Sequence, residues 1–330
     1  MVCNARTYGK EMIEPPDFGT IRRARTRIAS VARRTPLEKS RWLSSTNRDV
    51  FLKFECFQTT GSFKLRGAAA MLTALTNEQK RRGILTVSAG NHGVAVAYCA
   101  EALELSATIV VPESASPAKV EAIRRYPVHL IERGAGYDEA ERAAREIERD
   151  TGLTFVSPYN DPEVIAGQGT IALEILDELA EVDAIVVPVG GGGLAAGIAI
   201  AAKSIKPSIK IVGVEPEASP TMTAALEAGR IVEIAEDKTI ADGLAGNIEP
   251  GSITFPIVQR LVDEIVLVSE RAIENAIVQV AREDHIIVEG SAAASIAALD
   301  ASSLQLLRVV AILSGRNISL DLFNKVMMTR

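Results

Sequence analysis

Three short stretches of the sequence carry residue types that can do chemistry. The first, Val187-Pro-Val-Gly190-Gly191-Gly192-Gly193-Leu194-Ala-Ala-Gly197, follows an apolar run that reads as a buried strand and leads into a helical one. Glycines let a backbone approach a ligand with several N–H groups turned the same way, and a helix N-terminus adds partial positive charge. Together they form an anion cup. Four consecutive glycines exceed what a turn needs, so phosphate is the expected ligand. No Gly-Lys-Ser/Thr follows, which sets the loop apart from a P-loop. Gly190, Gly192 and Ala195 also satisfy a dinucleotide fingerprint, with Glu215 at the end of the next strand about 20 residues on. On these residues alone, a nicotinamide-dependent oxidoreductase competes with other phosphate binders.

The second stretch, Thr59-Thr60-Gly61-Ser62-Phe63-Lys64-Leu65-Arg66-Gly67-Ala68, places polar turn residues before a helix with Lys64 in its first turn. The helix dipole and Arg66 both disfavour a further positive charge there, which lowers the amine pKa and readies Lys64 for Schiff-base chemistry. By position alone, a lysine is more often solvated. The third stretch, Thr86-Val87-Ser88-Ala89-Gly90-Asn91-His92-Gly93, again joins a strand to a helix. Its backbone N–H groups can hold a carboxylate, or its polar side chains can simply cap the helix. His92 reads as a satisfied structural imidazole rather than a base. His92, His129 and His285 lack metal-ligand spacing, and there is no H-E-x-x-H, C-x-x-C or G-x-S-x-G.

The frame that must position these loops is an α/β one. The chain has 330 residues, enough for about two domains, with 47% hydrophobic and 24% charged residues as in ordinary globular proteins. A net charge of −6 and 4% aromatics argue against a nucleic-acid partner. Cys3, Cys56 and Cys99 cannot complete a disulfide framework and point to a reducing, cytoplasmic setting. Met1 to Asp17 shows no apolar signal region. Ala184 to Ala202 is 19 residues without a charge, but Pro188 and its glycines make it a strand, a turn and a helix rather than a membrane span.

Strands are predicted at Ile84–Val87, Ala107–Val111, Ala184–Val189, Ile209–Val214, Glu264–Val268 and Arg308–Leu313; these are Val/Ile-rich runs without polar alternation, as in a parallel sheet covered on both faces. Helices are predicted at Gly19–Arg34, Ala118–Arg125 after an N-cap Ser116 and Pro117, Tyr137–Arg149, Val164–Leu179, Leu194–Ile205, Thr221–Ala228, Arg271–Arg282 and Ser291–Leu299. The arginines of the first helix read as a solvated face. The alternation gives mostly parallel sheets covered by helices. No fixed-period repeat and no linker interrupts it.

Taken in order, the three loops resemble the pyridoxal-phosphate enzymes of fold type II, most of all the serine/threonine dehydratases. Thr35-Pro36-Leu37, Ile165-Ala-Gly-Gln-Gly-Thr-Ile-Ala-Leu-Glu174, Ile240-Ala-Asp-Gly-Leu244 and Leu313-Ser-Gly-Arg-Asn317 extend the resemblance from about Ile21 to Asn317. It implies a two-domain fold similar to the tryptophan synthase β chain. Residues 83–160 would form a small domain closing over the substrate, with 1–82 and 161–330 forming the large cofactor-binding domain and a homodimer as the assembly. Lys64 would hold pyridoxal 5'-phosphate covalently and act as the catalytic base. Gly190, Gly191, Gly192, Gly193 and Leu194 would bind its phosphate, Asn91 its ring hydroxyl and Ser314 its pyridine nitrogen, with Phe63 packed near the ring. Ser88, Ala89, Gly90, Asn91 and His92 would hold the carboxylate of a small amino-acid substrate. The implied reaction is β-elimination of water from threonine or serine, with the hydroxyl protonated through the cofactor phosphate, giving a 2-oxo acid and ammonia. A neutral hydroxyl beside the ring nitrogen weakens the electron sink and favours this elimination over transamination.

Departures from the family pattern narrow the expectation. Ala89 stands where the racemases carry a second, proton-moving serine, so racemisation should be poor. Glu215 is followed six positions later by Thr221 and not by an acid, so no metal site is expected, with Glu215 a weak candidate. The chain stops soon after Ser314, without the length of a C-terminal regulatory domain, so isoleucine feedback is not expected. Arg316 and Gly290 stand where the family often has Gly and Pro. An Arg316 that reads an additional acidic group would suit hydroxyaspartate or an opened hydroxyectoine derivative, the substrate of a hydroxyectoine-utilisation dehydratase subgroup.

Overall fold

The computed structural model describes residues 14–301 and 308–328. Cys3 and most of the N-terminal segment lie outside them. The elements run α1 (Phe18–Ile28), β1 (Leu37–Lys39), β2 (Asp49–Lys53), α2 (Lys64–Ala74), α3 (Asn77–Arg82), β3 (Ile84–Val87), α4 (Asn91–Ala102), β4 (Ala107–Val111), α5 (Pro117–Arg124), β5 (His129–Glu132), α6 (Tyr137–Thr151) and β6 (Thr154–Phe155). They continue with α7 (Pro162–Glu178), β7 (Ala184–Pro188), α8 (Gly193–Ile205), β8 (Lys210–Pro216), α9 (Thr221–Ala228), α10 (Thr254–Leu261), β9 (Glu264–Val268), α11 (Glu270–Glu283), α12 (Gly290–Ala301), β10 (Arg308–Ile312) and α13 (Leu320–Met328).

The strands form two sheets. The larger has the order β1-β2-β10-β7-β8-β9 and is parallel except for β1, which pairs antiparallel with β2. The smaller has the order β5-β4-β3-β6 and is wholly parallel. The large sheet buries both faces. Ile185, Val187, Val310 and Ile312 pack into one core cluster, and their chain neighbours Ala184, Val186, Val309 and Ala311 pack into another. This is why the strands lack polar alternation.

Every predicted strand is present, within two residues at each end. β1, β2, β5 and β6 were not predicted. β5 is a half-exposed edge strand and β6 has two residues, so neither shows an apolar run. β2 begins at an acid and ends at Lys53, whose charge is hidden by pairing rather than absent. α1 stops at Ile28, six residues short of the expected end. Ser116 holds the extended cap conformation, yet its side chain makes no capping bond, so Pro117 sets that helix start without it. The apolar 184–202 segment is strand, turn and helix as predicted. Among the described residues no helix is long and apolar enough to cross a membrane.

α7 and α8 pack backbone to backbone at Gly169 and Gly197. A Cβ on Gly197 would lie 2.3 Å from the Ile165 carbonyl oxygen, and one on Gly169 would lie 2.7 Å from that of Gly197. Beneath α2 sits a buried charge cluster. Arg66 is 1% exposed; its Nε and Nη2 lie 2.8 Å from the two Glu55 oxygens, and its Nη1 lies 2.7 Å from Glu174. Lys53, fully buried, donates to the same Glu174 at 2.6 Å and to the Thr35 carbonyl. Breaking such a set by removing one partner leaves unpaired buried charge. Glu174→Ala should therefore cost about 3–5 kcal/mol, read as a lower denaturant midpoint. An unchanged midpoint would show that the cluster does not hold α2.

Candidate active site

In the large sheet β2, β10 and β7 are neighbours and parallel, so the segments leaving their C-terminal ends emerge side by side. These are the 54–63 segment before Lys64, the 313–319 segment and the Gly190–Gly193 loop. Ligands of open α/β sheets bind outside the carboxyl ends of strands. The 88–90 loop leaves the C-terminal end of β3 in the smaller sheet and lines the same space. One cavity of about 1510 Å³ is lined by Phe63, Lys64, Ser88, Ala89, Gly90, Asn91, His92, Gly190, Gly191, Gly192, Gly193, Leu194 and Ser314. Every residue given a role at Lys64, the glycine loop, the asparagine loop and Ser314 thus converges on it.

Lys64 Nζ donates to the Pro158 carbonyl at 2.9 Å and lies 5.2 Å from the centre of the Phe63 ring. Burial pushes its amine down to about 8, against the opposing pull of Glu289. The lowered pKa was expected, but its cause differs. Arg66 faces away into the buried cluster, with Glu55 and Glu174 answering its charge, so desolvation and not Arg66 lowers Lys64.

Among the helices that start at the cavity, the two that follow the glycine and asparagine loops begin at glycine, with no side chain closing their N-termini. α8 starts after Gly192, which sits at φ +85°, and α4 starts after Gly90; neither has a capping side chain. Their first N–H groups are therefore left for a ligand. Tyr159 fills the back of the glycine loop: a Cβ on Gly191 would lie 2.5 Å from its ring, and one on Gly193 would lie 2.9 Å from the Tyr159 Cβ. A loop of Cβ-bearing residues could not sit there. This cradle fits a phosphate, and the amine it shares a cavity with fits an aldehyde-bearing cofactor.

The asparagine loop is tight. Ser88 Oγ accepts from Gly90 N at 3.1 Å, and a Cβ on Gly93 would lie 2.2 Å from the Ser88 carbonyl. His92 is 3% exposed and bonds the Val156 carbonyl through Nε2 at 3.1 Å; burial, then Lys64, push it down to about 3, so it stays neutral. It is the satisfied imidazole its context suggested. Ser314 is 1% exposed, and its carbonyl accepts from Phe63 N at 3.0 Å.

Glu215 does not join the site. It is fully buried, and its carboxylate accepts from Met222 N at 2.7 Å, from Thr223 N at 2.8 Å and from Thr223 Oγ1 at 2.6 Å. It closes the N-terminus of α9, whose own cap position is Pro220. Fully buried and outside the cavity lining, Glu215 cannot meet a ribose hydroxyl, which removes the nicotinamide reading of the glycine loop. Among the described residues no group of three or more His, Cys, Asp or Glu is placed to hold a metal ion.

Sequence reasoning gave no role to Glu289, Asn317, Pro158 or Tyr159. Asn317 lies inside the family-like Leu313–Asn317 stretch, three residues after Ser314, whereas Glu289 is marked only by the departure at its neighbour Gly290. Pro158 and Tyr159 carried none, since a carbonyl and a packed ring act only through the fold.

A family model described as pyridoxal-phosphate dependent enzyme matches residues 28–315. The chain is 41% identical over 308 residues to the L-threonine ammonia-lyase of Thermotoga maritima, covering 93% of this chain and 77% of that one. It is 45% identical over 310 residues to the catabolic L-threonine dehydratase of Staphylococcus aureus (strain N315), covering 92% and 89%. The structure of maize serine racemase superposes with a TM-score of 0.90 at 36% identity, covering 96% of this chain and 98% of that one.

The Lys64 environment has a direct consequence. Only the neutral amine attacks an aldehyde, so the rate at which apoprotein forms a chromophore with pyridoxal phosphate should rise with pH and level off above about 8, where an ordinary lysine would keep rising towards about 10.4. Stopped-flow absorbance across that range reads it. A rate still climbing at the upper end would contradict a desolvated Lys64.

Proposed function

The chain belongs to the pyridoxal-phosphate dependent enzymes, and we propose from that premise that it is a β-hydroxy amino acid dehydratase: it removes water from threonine or serine and releases a 2-oxo acid and ammonia. The observation that carries this reading is one cavity shared by a desolvated amine, Lys64, and the glycine-capped starts of α4 and α8. Two anion receptors and an amine match a phosphate, a substrate carboxylate and the group that links and deprotonates. The dehydratase and ammonia-lyase names of the two relatives support the same reaction class.

Gly190 to Leu194 would hold the cofactor phosphate at the start of α8, and Lys64 Nζ would hold its aldehyde carbon. Phe63 would pack near the ring, Asn91 would serve the ring oxygen and Ser314 the ring nitrogen. Bound pyridoxal phosphate supplies the electron sink for charge developing at the substrate Cα. The backbone N–H groups of Ala89 to His92, with Ser88, hold the substrate carboxylate at the start of α4 and so fix which Cα bond is presented. The free Lys64 amine would take the Cα proton at Nζ. The Pro158 carbonyl, 2.9 Å from Nζ, keeps the amine directed into the cavity. A hydroxyl at Ser314 carries no charge to hold the ring nitrogen protonated, which favours prompt loss of the β-hydroxyl.

Residues 83–160, which contain the four strands of the smaller sheet, form the domain that closes over the substrate, with 1–82 and 161–330 as the cofactor domain. The family resemblance supports a homodimer. Two buried cysteines without disulfides, Cys56 and Cys99, suit a reducing cytoplasm.

Purified protein should show a yellow absorbance band that borohydride abolishes, leaving pyridoxyl mass on Lys64, and Lys64→Ala should lose both the band and turnover of threonine. Racemised serine in the same assays should accumulate far more slowly than pyruvate, because Ala89 cannot move a proton. A colourless protein that gains no band with added pyridoxal phosphate would overturn the reading.

One observation favours a second substrate class. Arg316 lines the cavity, stacks 5.8 Å from the Phe57 ring centre and is paired with no carboxylate among the described residues. Arginine forks suit carboxylates. A substrate bearing a further acidic group, such as hydroxyaspartate or an opened hydroxyectoine derivative, would use it. In steady-state assays on several β-hydroxy amino acids, Arg316→Ala should lower kcat/KM for acidic substrates about tenfold or more relative to threonine. An unchanged ranking would refute the acidic class.

A further inference from the structure

Beyond Lys64 and the two anion receptors, the cavity contains a carboxylate that none of these roles uses. Glu289, 6% exposed, lines it at the head of α12. Its oxygens accept from Asn91 Nδ2 at 2.8 and 3.1 Å and from the Asn317 backbone N at 3.1 Å. Asn317 Nδ2 in turn donates to Asn91 Oδ1 at 2.6 Å and to the Thr60 carbonyl at 3.0 Å.

The polarity of this chain is fixed at both ends. A backbone carbonyl only accepts, so the Asn317 arm beside Thr60 is its NH2. The Asn91 atom that this NH2 meets must then be the amide oxygen. That leaves the Asn91 NH2 facing Glu289, whose ionised carboxylate also only accepts. An amide turned the other way would set its oxygen against a carboxylate. Room for the chain is built in at two glycines. A Cβ on Gly61, at φ +76°, would lie 2.5 Å from Asn317 Oδ1, and one on Gly315 would lie 2.4 Å from Glu289 Oε1.

We propose that Glu289 is a positioning residue that acts through Asn91, fixing the Asn91 amide so that an N–H and not a carbonyl is offered to the ring oxygen of the cofactor. This rests on the reading that the cavity holds pyridoxal phosphate with Asn91 against its ring. The two oxygens of Glu289 share one Asn91 hydrogen, and the second hydrogen of the same NH2 is free for the ring oxygen. Asn317 supplies the lock from the opposite end.

The lock depends on the charge of Glu289. Burial, with Asp242 nearby, raises its carboxyl to about 7, while the bonds from Asn91 and Asn317 and the charge of Lys119 oppose the rise. Lys64 and Cys56 also face it. Below about 7 the protonated acid can donate as well as accept, and Asn91 is then oriented from the Asn317 end alone. Above it both ends enforce the same orientation.

The test is cofactor affinity of the full-length apoprotein, titrated with pyridoxal phosphate and followed by the absorbance band, across pH 6 to 9. Glu289→Gln offers Asn91 a donor and an acceptor at every pH. It should weaken affinity on the order of tenfold above pH 7, and it should remove the loss of affinity that the parent shows as pH falls through about 7. Glu289 pulls the Lys64 amine upward, so the tenfold difference is read at pH 9, where Lys64 is largely neutral in both proteins. In an Asn91→Ala background the same Glu289 substitution should change affinity less than about twofold. Asn317→Ala, at an exposed position, should weaken affinity in the same way without touching the buried acid, so a folding failure of the Glu289 variant leaves the test intact. Equal losses with and without Asn91, or unchanged affinity in Glu289→Gln or Asn317→Ala, would overturn the proposal. A parent protein that forms no band would overturn the cofactor reading instead, so the two failures are separable.

Discussion

The arrangement rests on one buried guanidinium. Arg66 stands two residues beyond Lys64 in α2 and faces the opposite way, into Glu55 and Glu174. Glu55 follows β2 and Glu174 belongs to α7, so a single side chain ties the helix that carries the nucleophile to the sheet and to the adjacent helix layer. Lys53 completes the charge balance at the end of β2. With both acids answered, Arg66 puts no net charge on the cavity side of α2. Lys64 can then be governed by its own desolvation, which is what lowers its pKa.

The same economy of partners recurs around the cavity. Where a helix start needs closing for structural reasons, a side chain closes it: Glu215 serves α9, and Asp161 serves α7. At the two loops expected to bind anions, the cap position is glycine and the N–H groups stay open, as at Gly90 and Gly192. The contrast marks α4 and α8 as receptors more firmly than their glycine content does, because glycine-rich starts also serve packing alone, as at Gly169 and Gly197.

The polar groups of the cavity form a connected chain rather than a collection. Asn317 donates both to the Thr60 carbonyl and to Asn91, and Asn91 donates in turn to Glu289, so the chain ends on an acceptor at each side. Such networks specify one orientation when every member is satisfied. They also join the segment before α2, the loop after β10, the start of α4 and the start of α12, so the two sheets meet across a defined contact at the cavity.

By itself the sequence determined the parallel α/β character and the glycine cup from local pattern, unbroken Val/Ile runs and four glycines at a strand–helix junction, and it singled out Lys64 through the order of the three loops. The glycine loop alone could not separate a phosphate of pyridoxal from one of a dinucleotide, since both use the same N–H groups, and the other loops tipped the reading to pyridoxal. The tertiary structure supplies the physical ground, committing Glu215 to α9 and setting Lys64 in the same cavity as the cup. The fold likewise decided which charges matter. Arg66, adjacent in sequence to the lysine, is electrostatically spent elsewhere, while Glu289, 225 positions away, faces it. Spacing along a chain fixes which residues share a helix turn, but burial and pairing set the strength of a charge, and those exist only once distant segments have packed.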